Sequence, residues 1–222
     1  LLAFRQDNLY RLMAYSRVAH AGYMMIGLVV EGGNDDVSGV GALLFYLATY
    51  GLITIGIFAL FAGVSSEKSP VRVVSDLAGM SRIHPAVALA LAVCLFSLTG
   101  LPPTVGMLGK LNLFLASWGE GTTLGRSLAI VLAANAAISA RYYLRIIGVM
   151  YFHSSEVAPE GRGGVGAGFA TLLCTLAVLI IGIFDFLNTA NQALVDPNWA
   201  GFPGEVYLFA AFVYFCFCYS MS

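Results

Sequence analysis

The sequence predicts an all-α fold, a polytopic transmembrane helix bundle of five to six membrane helices, and three observations lead to this prediction. Hydrophobic residues make up 59% of the 222 residues and charged residues only 10%, whereas an average soluble domain is about 45–50% apolar and about 25% charged. The apolar residues form runs close to the ~20 residues that a helix needs to cross a bilayer. Glycine and proline interrupt one of these runs at its middle.

The apolar runs give the order of the predicted membrane helices. Five runs are long enough to span, and they cover residues 12–30, 39–64, 85–118, 127–152 and 165–184, with Asp185 closing the last. The third run is too long for one straight crossing and contains Gly100, Pro102 and Pro103, so a broken helix is predicted there. A sixth run, 206–221, is short and aromatic, so it spans thinly or lies at the interface.

Basic residues predict the orientation of the bundle, because lysine and arginine are retained in the loops on the cytoplasmic or matrix side. If the N-terminus is inside, the outside loops hold Arg126 alone, and the outside loop 31–36 is acidic. The inside segments then hold Arg5, Arg11, Lys68, Arg72, Arg82, Arg141, Arg145 and Arg162.

Composition and motifs exclude several classes of function. The net charge of -1 and the lack of any lysine- and arginine-rich block argue against binding to nucleic acid. The four cysteines lie inside apolar runs without a CxxC pair or a histidine at metal-ligand spacing, so they are read as small buried hydrophobic residues and no metal site is predicted. No nucleotide-binding loop, HExxH motif or nucleophile elbow is present, and no cofactor is predicted in this chain.

Lys110 is the candidate catalytic residue, as a proton carrier, because it is the only charged residue of the run 85–118. A lysine at the centre of a membrane helix costs about 2.5–3.5 kcal/mol, and burial disfavours its ammonium form, so that both charge states become accessible. The helix break frees carbonyls that need polar partners, and Ser97 and Thr99 supply hydroxyls nearby for a polar centre. The alternatives are a lysine that snorkels or pairs structurally, and a simple proline kink.

Two polar stripes at helical spacing supply candidate relay residues. The stripe on the first helix consists of Ser16, Arg17, His20 and Tyr23. The stripe on the second helix consists of Tyr46, Tyr50 and Thr54. Histidine exchanges protons near neutral pH, so His20 is a candidate relay, with a hydrogen-bonded structural role as the alternative. The tyrosine stripe serves either packing or a proton pathway.

Three segments of the chain resemble subunit 2, the bacterial subunit N, of respiratory complex I. They are RLMAYSRVAHAGYMMIGLVV (11–30), DLAGMSRIHPAVALALAVCLFSLTGLPPTVGMLGKLNLF (76–114) and ISARYYLRIIGVMYF (138–152). The segment SLTGLPPTVGMLGK is similar to the signature broken helix of the antiporter-like subunits, which implies that Lys110 is the exit-side lysine of a proton channel. The resemblance also implies a histidine beside the proton path at His20, and it places Tyr50 where sister subunits 4 and 5 have a histidine.

The resemblance covers about residues 5–188, which form one predicted unit, the C-terminal helical part of an antiporter-like subunit; residues 189–222 are an unplaced loop and a short aromatic C-terminal helix. It implies a split subunit whose N-terminal half is a separate polypeptide. The departures from the family are Arg17 in place of serine, Arg141 in place of tyrosine and Tyr10 in place of lysine.

The resemblance further implies the setting in which the chain works. The chain is expected to be an enzyme subunit, in an NADH:ubiquinone reductase whose NADH, FMN, iron–sulfur clusters and ubiquinone are bound by other subunits. The expected partners are the N-terminal half of subunit 2, the neighbouring antiporter-like subunit 4 and membrane lipids. The expected location is the mitochondrial inner membrane, or alternatively the bacterial plasma membrane. Two other readings stay open: a subunit of a cation/proton antiporter or membrane hydrogenase, and a scaffold that has lost transport.

Overall fold

The structure is a computed structural model, and it describes residues 2–30, 38–65, 70–102, 104–154 and 165–195. Seven α-helices lie in this part of the chain: α1 (Leu9–Val29), α2 (Gly39–Val64), α3 (Met80–Ile83), α4 (Pro85–Thr99), α5 (Val105–Gly119), α6 (Thr123–Phe152) and α7 (Val165–Val195). Short 3₁₀ turns cover Leu2–Arg5 and Val74–Leu77. The predicted all-α class and the break in the third apolar run are confirmed.

The helix boundaries agree with the apolar runs except near three ends. The second run becomes α2 without change, and the third becomes α4 and α5. The fifth run agrees with the apolar span Gly166–Phe184, but the expectation that the helix ends at Asp185 is wrong, because the backbone of α7 stays helical to Val195. The predicted domain boundary after residue 188 therefore lies within α7. By length and composition α2, α6 and Gly166–Phe184 can each cross a membrane.

Local capping explains where three of the helices begin. The side chains of Asn8, Ser38 and Thr122 each accept a hydrogen bond from a backbone N–H of the first turn, at 3.1, 2.9 and 2.9 Å, and such caps contribute about 1 kcal/mol each. The Thr122 cap explains why α6 begins before the predicted start at residue 127. The helices bury large apolar side chains in the core of the bundle, among them Leu9, Ile53, Leu95 and Ile146.

The segment before α1 is tied to two other parts of the fold. The backbone pairs Asn8 with Val73 in an isolated antiparallel bridge, and the N–H of Leu9 donates to the carbonyl of Arg72 at 2.8 Å. The Arg145 guanidinium, near the end of α6, donates to a carboxylate oxygen of Asp7 at 2.5 Å. These contacts lie at the end of the bundle that the basic residues predict to be inside.

Several sequence predictions fall on parts of the chain outside the described residues. They concern the short aromatic helix 206–221, the acidic loop 31–36, Lys68, Pro103, Arg162, Cys216 and Cys218. The described cysteines, Cys94 and Cys174, are buried and free, in agreement with their predicted role as small hydrophobic residues.

Candidate functional site

The break between α4 and α5 begins with a left-handed glycine. Gly100 has φ +89°, a conformation that glycine adopts without strain. The N–H of Gly100 donates to the carbonyl of Ser97 at 3.1 Å, and the N–H of Leu101 donates to the carbonyl of Phe96 at 3.1 Å. This pair of hydrogen bonds is a Schellman motif, which ends the helix and satisfies two of its last carbonyls.

Lys110 satisfies the next two carbonyls of α4. Its Nζ donates to the carbonyl of Leu98 at 2.6 Å and to the carbonyl of Thr99 at 2.8 Å. The side chain is only 6% exposed, and its aliphatic part contacts the open side of Gly100. Because the carbonyl end of a helix carries partial negative charge, a buried ammonium is well placed there.

The two halves of the broken helix are held together by a close approach of Ser97 and Gly106. The Ser97 hydroxyl oxygen accepts a hydrogen bond from the N–H of Gly106 at 3.0 Å. A Cβ atom on Gly106 would lie 1.9 Å from the Ser97 carbonyl oxygen, so no residue other than glycine fits. The Thr99 hydroxyl donates to the carbonyl of Leu95 at 2.9 Å. The hydroxyl groups of Ser97 and Thr99 thus bond to backbone groups of the broken helix. Pro102, in the break, is half-buried.

His20 lies at the centre of a second polar cluster that joins three helices. Its Nδ1 is 2.6 Å from the Tyr46 hydroxyl of α2, and its Nε2 is 3.0 Å from the Tyr143 hydroxyl of α6. The Tyr143 hydroxyl also forms a short hydrogen bond with the Ser16 hydroxyl. His20, Ser16, Tyr46 and Tyr143 are each at most 2% exposed, so the cluster is sealed inside the bundle.

Tyr50 and Tyr23 contact the same imidazole with their rings. The ring of Tyr50 stacks on His20 with centroids 4.5 Å apart, and the ring of Tyr23 meets it edge-on at 5.4 Å. Tyr23 links the two clusters, because Nζ of Lys110 lies 5.9 Å from its ring centroid. The Tyr23 hydroxyl is buried, and the Ser139 side chain of α6 is its polar neighbour.

Sequence reasoning missed one member of the cluster, Tyr143. The sequence analysis used the segment that contains Tyr143, ISARYYLRIIGVMYF, only for the family resemblance. The signal that could have identified Tyr143 is its hydroxyl group within an apolar run. The two arginines that depart from the family are both exposed. Arg17 rests on the Phe58 ring at 4.7 Å and lines a small cavity with Ser16 and Tyr50, and Arg141 lies on α6.

No group of three or more histidine, cysteine, aspartate or glutamate side chains is placed to bind a metal ion within the part of the chain that the structure describes. Among the described residues, the buried polar side chains are one lysine, one histidine and side chains with hydroxyl groups.

Comparison with known proteins identifies the family. The sequence model of the family described as NADH:quinone oxidoreductase/Mrp antiporter, TM, matches residues 1–135, which is more than half of the chain. The chain belongs to this antiporter family. The predicted resemblance is thereby confirmed, and the protein is an integral membrane protein.

Within the antiporter family, the chain is similar to curated sequences of NADH-quinone oxidoreductase subunit N. The chain is 39% identical over 181 residues to NADH-quinone oxidoreductase subunit N of Bdellovibrio bacteriovorus, a match that covers 81% of this chain and 37% of that subunit. It is 38% identical over 184 residues to subunit N 2 of Symbiobacterium thermophilum, covering 83% of this chain and 35% of the relative. The chain therefore spans little more than a third of the length of these relatives.

Solved structures share the fold of this antiporter-family chain. Respiratory complex I from Thermus thermophilus with bound aureothin contains a chain that matches with a TM-score of 0.65 and 34% identity, covering 82% of this chain and 39% of that one. The Mrp complex from Dietzia sp. contains a chain with a TM-score of 0.64 and 20% identity, covering 83% and 41%. The second likeness concerns the fold alone.

Proposed function

We propose that this chain is part of a proton-translocating membrane subunit of a respiratory NADH:quinone oxidoreductase, and that Lys110 carries the proton. In this proposal redox energy released elsewhere in the complex drives the transfer. The chain takes part in the enzyme as a membrane subunit, while NADH, FMN, iron–sulfur clusters and quinone are bound by other subunits.

The observation that carries the proposal is the way Lys110 is anchored. An ammonium has three N–H groups, and two of them donate to the carbonyls of Leu98 and Thr99. A neutral amine keeps two N–H groups and gains a lone pair. Lys110 can therefore release and regain one proton while both of its hydrogen bonds to the helix end persist. A reversible proton carrier needs such a group, and burial makes its neutral form accessible.

His20 is the proposed relay beside Lys110, because a buried imidazole with a hydroxyl on each nitrogen can take a proton on one side and release one on the other. The stacked ring of Tyr50 holds the imidazole in place, and a relay role for its own hydroxyl stays a prediction. Tyr23 lies next to both residues, with its ring centroid 5.4 Å from that of His20 and 5.9 Å from Nζ of Lys110.

A subunit of a cation/proton antiporter is the second candidate, since the fold is shared with a chain of the Mrp complex from Dietzia sp.. The higher identity to the Thermus thermophilus complex I chain, 34% against 20%, favours the first candidate. A scaffold without transport is disfavoured, because a neutral side-chain donor could satisfy the same two carbonyls without the about 2.5–3.5 kcal/mol that a charged lysine costs in a membrane helix.

The proposed partners are other membrane-arm subunits, including the neighbouring antiporter-like subunit 4. The relatives named above are bacterial, which favours the bacterial plasma membrane over the mitochondrial inner membrane. A mild solubilisation followed by a native gel stained for NADH oxidation tests this membership. Mass spectrometry should find the chain in a large NADH-oxidising band.

Absence of the chain from every NADH-oxidising band would contradict the complex I assignment and favour an antiporter. The role of Lys110 is tested separately, by substitution with alanine in assembled complexes. The Lys110→Ala complex is expected to pump far fewer protons, and full pumping by a well-assembled Lys110→Ala complex would remove the proposed role.

A further inference from the structure

We propose that Ser16 and Tyr143 are relay residues, so that Ser16, Tyr143, His20 and Tyr46 form one hydrogen-bonded proton wire that leads toward Lys110. The proposal rests on the proposed function, because the wire serves the proton that Lys110 carries. It adds two residues to the path, one on α1 and one on α6, that the sequence did not single out for this role.

The first support is the continuity of the hydrogen bonds. Tyr143 bonds to Ser16 on one side and to Nε2 of His20 at 3.0 Å on the other, while Nδ1 of His20 is 2.6 Å from the Tyr46 hydroxyl. Tyr143 is fully buried, and the other three residues are 1–2% exposed. Four buried polar groups on α1, α2 and α6 thus contact each other in series.

The second support is the polar surrounding of Ser16. A cavity of about 10 Å³ lies beside it, lined among others by Arg17, Tyr50, Thr54 and Phe58. This volume is close to the ~10–15 Å³ that holds one water molecule. The Arg17 side chain itself is exposed. In the proposed wire a water molecule in this cavity gives Ser16 a group with which to exchange protons.

The chemistry of such a wire balances at every step. A neutral imidazole donates from one nitrogen and accepts at the other. With the His20 proton on Nδ1, Nε2 accepts from Tyr143, whose oxygen accepts from Ser16. When a hydronium ion gives a proton to Ser16 and is left as water, the Ser16 proton passes to Tyr143 and the Tyr143 proton passes to Nε2. His20 then releases its Nδ1 proton to Tyr46, and the Tyr46 proton passes to the neutral amine of Lys110, which becomes an ammonium.

One proton enters this wire and one leaves it, and only O–H and N–H bonds form and break. The wire resets when the hydroxyl groups turn and the imidazole returns to its first tautomer. Serine and tyrosine hydroxyls suit this task because each is both a donor and an acceptor.

The far end of the wire lies beside the helix that carries Lys110. The Tyr46 ring packs against the backbone of Gly109, where a Cβ atom would lie 2.6 Å from Cδ2 of the ring. The Tyr23 ring lies 6.3 Å from the Tyr46 ring and 5.9 Å from Nζ of Lys110. The buried Tyr23 ring therefore lies between the wire and the lysine.

The test compares pumping by membrane vesicles that contain the assembled complex with Tyr143→Phe, Ser16→Ala or Lys110→Ala. The initial rate of vesicle acidification is divided by the amount of assembled complex on a native gel. Tyr143→Phe keeps the ring and removes only the hydroxyl, and we expect a rate at least about tenfold lower, because a positioned proton-transfer group contributes about 10²–10⁴-fold. Ser16→Ala should lower the rate similarly.

Two variants separate proton relay from packing. Tyr15→Phe makes the same change at a 40% exposed tyrosine of α1 and should pump normally. Ser16→Thr keeps the hydroxyl and should retain most of the pumping that Ser16→Ala loses. If the Tyr143→Phe complex does not assemble, the comparison of Ser16→Thr with Ser16→Ala tests the wire. An equal loss of pumping rate in these two variants overturns the wire.

The outcomes also distinguish the wire from the proposed function. Normal pumping by Tyr143→Phe and Ser16→Ala together with failure of Lys110→Ala overturns the wire and leaves the lysine in its role. Normal pumping by Lys110→Ala overturns the proposed function itself.

Discussion

The ammonium of Lys110 donates a hydrogen bond to the carbonyl of Thr99 at 2.8 Å, so a side chain of α5 caps the C-terminus of α4. The helix break and the buried charge are therefore one feature. The break supplies the carbonyls that stabilise the charge, and the charge satisfies the carbonyls that the break would leave unpaired in lipid.

Removal of both donors should destabilise the broken helix. Lys110→Met keeps the length of the side chain but leaves the carbonyls of Leu98 and Thr99 without their donor, and each buried unpaired group costs about 1–3 kcal/mol. We expect less assembled complex to survive heating, measured on a native gel after a series of temperatures. A Lys110→Met complex as heat-resistant as the parent would contradict the capping role.

Gly100 should tolerate no side chain, for two separable reasons. Its positive φ costs alanine about 1–2 kcal/mol, and a Cβ atom would lie 3.2 Å from Cδ and 3.3 Å from Nζ of Lys110. Gly121 is the matched control, since it also has a positive φ, +75°, but open space around it. Gly100→Ala and Gly121→Ala should lose similar stability, while only Gly100→Ala slows vesicle acidification. Equal pumping by the two variants would argue against the contact.

The contact of Gly106 with Ser97 should be essential for assembly. Alanine at residue 106 would place its Cβ 1.9 Å from the Ser97 carbonyl oxygen, so α4 and α5 must separate. Gly51→Ala, at a helical glycine with open space, should instead be neutral or stabilising by roughly 0.5–1 kcal/mol. The yield of assembled complex on a native gel checks both. Normal assembly of Gly106→Ala would show that this close approach is not required.

The ion pair between Asp7 and Arg145 should matter little for stability. The two side chains are 71% and 43% exposed, and exposed ion pairs contribute about 0–1 kcal/mol. Asp7→Asn should therefore change the stability of the complex by no more than about 1 kcal/mol, so that its resistance to heating on a native gel stays close to that of the parent. The difference in stability between variant and parent should be smaller at high salt. A larger loss would mean that this contact anchors the segment before α1 more strongly than its exposure indicates.

The features that the sequence predicted are those set by local composition. An uninterrupted apolar run defines α2 without reference to any other part of the chain, and glycine and proline next to one another define the break before Lys110. The end of α7 was not predicted, because Asp185 was taken as a terminator although a single charge near a membrane boundary does not stop a helix.

The contacts of the candidate site could be predicted only in part, because they join distant residues. His20 and Tyr143 are 123 positions apart in the chain, and no local pattern on α6 indicates that its tyrosine reaches α1. Spacing placed Tyr46 and Tyr50 on one stripe of α2 and the family resemblance singled out Tyr50, yet Tyr46 is the residue whose hydroxyl meets Nδ1 of His20. Helical spacing identifies a face of a helix, and only the packing of neighbouring helices decides which side chain on it forms the bond.

The central claim is that Lys110 releases and regains a proton, and substitution with arginine tests it most directly. Arginine keeps the positive charge and the N–H donors for the helix end, but it does not lose its proton in proteins. The measurement is the initial rate of vesicle acidification by Lys110→Arg complexes, relative to the amount of complex assembled. We predict normal assembly with pumping reduced to near the level of Lys110→Ala. Pumping at the parental rate by Lys110→Arg would contradict the account, because a fixed charge would then suffice.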